Sequence, residues 1–165
     1  MSTNLDEFVA LVREYVDVVN RAGTTPAHAF LRACALILPR IYATGLNLPD
    51  VEPRNDDATL EVASPLARIR RLLGRYDAYW EIFDPYVDGP PLPASLATDL
   101  ADIYLDLATS LIAFDAGHTA DAVWQWRFNI QGHCGAHLVD ALRAIHRAVN
   151  DHMPPGYVAG SEATE

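Results

Sequence analysis

The chain contains no lysine, so all 12 of its strongly basic side chains are arginines, set against 22 aspartates and glutamates. The formal net charge is −10 and the pI about 4.9. A field of that sign repels nucleic acid and anionic membrane, although it leaves room for a local basic site. There are only two cysteines, Cys34 and Cys134, both inside predicted helices on apolar faces. That usage reads as two free buried thiols and excludes a disulfide framework. No apolar run is long enough to span a bilayer. The acidic N-terminus lacks the basic start and apolar middle of a signal peptide, and the expectation is a cytoplasmic protein. A Gly-rich phosphate loop, G-x-S-x-G, C-x-x-C and H-E-x-x-H are all missing, which removes the common signatures of nucleotide, serine-hydrolase, thiol-redox and zinc-protease chemistry. We find no internal repeat and no convincing strand.

What remains is a helical pattern. The 165 residues are 50% hydrophobic and 21% charged, enough for one domain with a real core. Residues 4–22 form the first predicted helix, with Phe8, Leu11, Val12, Tyr15, Val16 and Val19 as its apolar stripe and Gly23 as its stop. Thr25-Pro26 opens a second, with Phe30, Leu31, Cys34, Leu38 and Ile41 buried and Pro39 placed to kink or shorten it. Residues 45–63 read as a loop or flap. Ser64-Pro65 opens a third helix, on which Arg68, Arg71 and Arg75 form a basic stripe at i, i+3, i+7. The aromatic segment 76–88, with Tyr79, Trp80, Phe83 and Tyr86, is expected to pack against one end of the bundle. The tail 153–165, with Pro154, Pro155 and Gly156, is expected to be disordered.

The chemically capable residues gather in 95–150. Ser95 caps a helix that carries Asp99, Asp102 and Asp106 in a narrow arc, and Gly117 ends it. A second arm, from about Ala120 to about Asp151, carries His133, His137 and Asp140 in another narrow arc. A turn this short makes the arms antiparallel neighbours. Counting outward from Gly117 sets Asp99 level with Gly135 and Asp102 level with Gly132, at the height of the two histidines.

Three readings follow. In the first, His133 and His137, with Asp99, Asp102 and Asp140, hold a zinc, manganese or iron ion, for which mixed nitrogen and oxygen ligands are suited. An open coordination position would then support hydrolysis of a phosphate ester or amide, with Asp99, Asp102 or Asp140 as general base. Gly132 and Gly135 argue against it by loosening the helix, and Arg127 and Arg143 are placed to neutralise the carboxylates. In the second, the aspartates, among them Asp99, Asp102 and Asp106, and the two histidines form a buried ion-pair and hydrogen-bond network with Arg68, Arg71 and Arg75 that fixes helix register. In the third, that arginine stripe takes an anionic small ligand. Cys134 does not face His133, since adjacent helical residues diverge by about 100°. Trp124, Trp126 and Phe128 read as packing, with Trp126 notable for lying on the arc of His133 and His137.

The runs YWEIFDPY and DLADIYLDL, then W-x-W-x-F, H-x-G-x-H and AL-x-x-x-H, resemble a bacterial family, the domain of unknown function numbered 5063. The resemblance extends from the first helix to about Arg147. It implies a small all-helical domain without an established activity, and it carries no catalytic or metal-binding residue across. In the family pattern the residue between the first histidine and the glycine is usually tryptophan; here it is Cys134.

The combined expectation is a single all-α bundle of about five helices over residues 1–152, centred on the hairpin at about 95–150. Its foremost functional reading is an interaction or structural module with an Asp/Arg/His network and a protein partner. The alternative is a metal-dependent hydrolase with its site between helices 95–115 and 120–151.

Overall fold

The structure, a computed structural model, describes residues 3–54 and 61–160. Six α-helices lie among them: α1 (Thr3–Asn20), α2 (Ala27–Gly45), α3 (Leu66–Leu73), α4 (Leu96–Asp115), α5 (Thr119–Gly132) and α6 (Cys134–Arg147). Phe8, Val12, Tyr15 and Val19 recur on one face of α1 and are fully buried, as are Leu31, Leu38 and Ile41 of α2. Pro39 does not end α2, which continues to Gly45.

α4 is the hub, packing against α1, α3, α5 and α6. Leu100, Ile103 and Leu107 are fully buried, and the Leu100 carbonyl accepts the Tyr15 hydroxyl at 2.8 Å. Its start is held twice. Ser95 Oγ accepts the Thr98 N–H at 3.1 Å, the expected cap. Asp77 Oδ1 accepts the Ala97 N–H and the Ser95 hydroxyl, each at 2.8 Å. Gly117, at φ 92°, makes the turn that returns the chain as α5.

Four expectations are corrected. The second arm is not one helix. It breaks at His133 (φ −144°, ψ −82°), which separates α5 from α6 and turns five helices into six. The break needs Gly135, where a Cβ would lie 2.0 Å from the Ile130 carbonyl oxygen. A strand pair is present: β1 (Ala78–Glu81) runs antiparallel to β2 (Leu92–Ser95), with Tyr79 opposite Ala94 and Trp80 opposite Pro93. The aromatic segment does not close the bundle, because Trp80 is 68% exposed, Phe83 82% and Tyr86 97%. The described tail is packed: Met153 and Tyr157 are buried, with the Tyr157 ring edge-on to Tyr76 at 4.8 Å.

Residues 46–54 of the expected flap lie on the bundle. Leu48 is buried, Asp50 pairs with Arg127 at 2.8 Å, and the Arg54 N–H donates to Asp121 at 2.6 Å. Residues 55–60 of that segment and 161–165 of the tail lie outside the described residues.

Candidate functional site

α4 carries the acidic stripe and α6, with the break before it, carries the histidines. Asp99 is buried, and burying a carboxylate is costly unless its oxygens are satisfied. Both are. His137 Nδ1 lies 2.8 Å from Oδ1, and the Tyr79 hydroxyl donates to Oδ2 at 2.7 Å. Burial and the Asp99 carboxylate hold the Tyr79 phenol protonated, well above its ordinary range. The hydrogen bond to Asp99 raises His137 above its ordinary 6.5, against burial that lowers it, with Asp102 and Asp106 adding to the rise.

The arrangement repeats one turn away. His133 Nδ1 lies 2.8 Å from Asp106 Oδ2. Asp106 also faces the Cys134 thiol, which burial first and Asp106 second push up to about 12. Cys134 is therefore a protonated, inert thiol at neutral pH. An ionised carboxylate only accepts, so each histidine must donate from Nδ1, and the neutral ring keeps its lone pair on Nε2.

Asp102 lies between the two pairs. Its Oδ2 is 3.8 Å from His137 Nε2, and the two imidazole rings stand edge to face with centroids 5.0 Å apart. One ligand atom from each of Asp102, His133 and His137 falls within 4.8 Å of the others. A groove of about 530 Å³ opens beside them, walled by the strand pair through Glu81 and Ser95 and by α6 through His137 and Asp140. Asp140 is half-buried; burial raises its carboxyl above the usual range, and Glu81 and Asp99 add to this against Arg143 and His137.

Five sequence candidates thus converge: Asp99, Asp102, Asp106, His133 and His137. Asp140 shares their groove. The arginine stripe does not join them, because Arg68 donates to the Val19 carbonyl at 3.2 Å and Arg75 lies over the Tyr76 ring at 5.0 Å. Arg71 lines a separate cleft with Thr25 and Tyr157. The expected network of aspartates, histidines and arginines is overturned in its arginine part alone, and the Asp–His contacts form without it. Arg127 and Arg143 bond to Asp50 and to the Trp80 carbonyl, so neither caps a site carboxylate. Trp126 is fully buried, donates to the Leu107 carbonyl at 3.1 Å and packs on Phe8 and Phe114, in the core.

Tyr79, expected only to pack within the aromatic segment, instead donates to Asp99, a role that sequence reasoning did not reveal. The alternation of Asp77, Tyr79 and Glu81 along one side of an extended segment was its available signal.

The fold and these side chains define an all-α bundle with a histidine–aspartate cluster between two of its helices. The chain belongs to the family described as Domain of unknown function (DUF5063), whose model matches residues 1–151. A crystal structure of protein BF1032 from Bacteroides fragilis shares the fold, with a TM-score of 0.79 over 95% of this chain and 98% of that one at 23% identity. No curated protein matches the chain. Among the described residues no helix is long and apolar enough to cross a membrane.

Proposed function

We propose that the protein binds one divalent transition-metal ion through Asp102 and the Nε2 atoms of His133 and His137, and that the loaded site hydrolyses a substrate held in the adjoining groove. One observation carries this reading: each histidine has its Nδ1 on an aspartate, and each aspartate has a second contact, Tyr79 for Asp99 and Cys134 for Asp106. Metal-binding histidines are characteristically held this way, because the outer carboxylate fixes the tautomer and raises ligand basicity. A structural ion pair needs no such convergence on a third carboxylate.

Two histidines and one carboxylate with an open side is a ligand set for zinc, and also for iron or manganese. Such an ion lowers the pKa of bound water toward neutrality. Asp99 is committed to His137 and Tyr79, and Asp102 to the ion. Asp140, with its raised pKa, is left as the general base that takes the water's proton. A phosphate ester or amide is the substrate class this supports.

Elemental mass spectrometry of untagged protein tests the reading. The expected result is near-stoichiometric metal in wild type, lost in the His133→Ala, His137→Ala double variant. Metal-free wild type after reconstitution with zinc, manganese and iron would overturn it. The interaction-module reading would then lead, supported by the exposed Trp80, Phe83 and Tyr86.

A further inference from the structure

In a protein of net charge −10, three of the 12 arginines line a single cavity. This cavity, of about 580 Å³, is distinct from the groove beside His137. Arg75, Arg143, Arg147 and His152 contribute to its wall, and among the described residues no carboxylate lines it.

The fold assembles it from three places. Arg143 and Arg147 are one turn apart on α6 and share a face. Arg143 donates to the Trp80 carbonyl at 3.1 Å, which ties α6 to β1. Arg75 comes from the short 3₁₀ turn after α3 and donates to the Tyr76 hydroxyl at 3.0 Å. That hydroxyl donates in turn to the His152 carbonyl at 2.8 Å. His152 is carried by a π turn, Ala148–His152, at the end of α6. Such turns are rare and concentrate at functional positions.

All three arginines have partners within the protein, and Arg143 and Arg147 keep further donors. Arg147 pairs with Asp151 at 2.8 Å, on a residue that does not line the cavity. A guanidinium has five donors, and Arg143 uses one of them on the Trp80 carbonyl. Three guanidiniums around one cavity repel one another, and an anion held between them would relieve that repulsion. The rest of the wall is apolar and flat, with Trp80 68% exposed and Tyr76 beside it.

We propose that this cavity binds an organic phosphate: a dianionic phosphoryl group on Arg143 and Arg147, with Arg75 adding charge, joined to a flat apolar body that lies against Trp80. The fork geometry of guanidinium matches phosphate oxygens in pairs, and an aromatic face holds a flat body. The proposal does not depend on the metal reading, because it shares no ligand residue with it.

Calorimetric titration of the full-length, metal-free protein with phenyl phosphate tests it, with inorganic phosphate as charge alone and phenol as ring alone. Phenyl phosphate should bind more tightly than either, and less tightly as salt is added. The Arg143→Gln, Arg147→Gln double variant should bind it about tenfold more weakly or worse. Trp80→Ala, at an exposed position where folding is not at stake, should weaken phenyl phosphate and leave inorganic phosphate unchanged. Phenyl phosphate that fails to bind wild type at millimolar concentration would overturn the proposal. So would binding that survives both the arginine and the Trp80 substitutions.

Discussion

A carboxylate as buried as Asp99 survives only because every oxygen has a donor, and this makes the aspartates behind the histidines as telling as the histidines themselves. Asp106→Asn should weaken metal binding by about 10- to 100-fold while the protein stays folded, as removal of an outer carboxylate does elsewhere. Competition against a chromogenic chelator measures it, and unchanged affinity would remove Asp106 from the site. Asp140 gives a prediction of sign. Its carboxyl titrates above its unfolded value of 3.8 when folded, so ionisation costs the native state stability above that pH. Asp140→Asn should therefore raise the urea midpoint at pH 7, and the gain should shrink toward zero as pH falls to 3.8 and below. The same substitution should abolish hydrolysis if Asp140 is the base. At this scale the sequence was informative: spacing and level placed Asp99, Asp102, His133 and His137 together before any coordinates. It could not say which partner each would choose. Arg68, Arg71 and Arg75 share the spacing of the aspartates, and spacing alone does not set the rotation of α3 about its own axis.

Among the elements, the break between α5 and α6 was the costliest to miss. Ile130, Leu138, Ala141 and Ile145 keep one apolar stripe across it, so hydrophobic period is blind to the one residue, His133, whose backbone turns. The two glycines nearby, which argued against a site, prove unequal. Gly135 meets the Ile130 carbonyl, whereas a Cβ at Gly132 meets nothing within 4 Å. Gly135→Ala should cost about 1–3 kcal/mol or more by forced overpacking and should also release the metal. Gly132→Ala should be neutral or stabilising by up to about 1 kcal/mol. Thermal melts of the pair, with metal content read on each, separate the two roles. The strand pair escaped for another reason. β1 alternates only between exposed and half-buried, β2 does not alternate at all, and 10 residues separate the two strands, so neither a core face nor a tight turn marks the pair.

Across the whole molecule, the all-α class and the central place of α4 were legible because amphipathic period and short turns decide them. The C-terminal boundary was not. Residues 153–160 have the proline and glycine content of a free tail, yet Met153 and Tyr157 reach into the core and Tyr157 packs edge-on against Tyr76. Two aromatic or sulfur-bearing side chains set among polar neighbours are too few to register as a pattern. Ending the chain after His152 should lower stability by several kcal/mol, taking about 1.5–3 kcal/mol for each buried side chain. Urea denaturation measures this, and an unchanged midpoint would show the tail to be dispensable.

The close approach at Gly135 reaches beyond stability. A glycine codon mutates silently at its third base; nearly every other single-base change puts a side chain there or stops translation. Each such side chain would set a carbon 2.0 Å from the Ile130 oxygen, a distance at which the backbone of the break must shift. The break that sets His133 beside His137 thus rests on the first two nucleotides of a single codon.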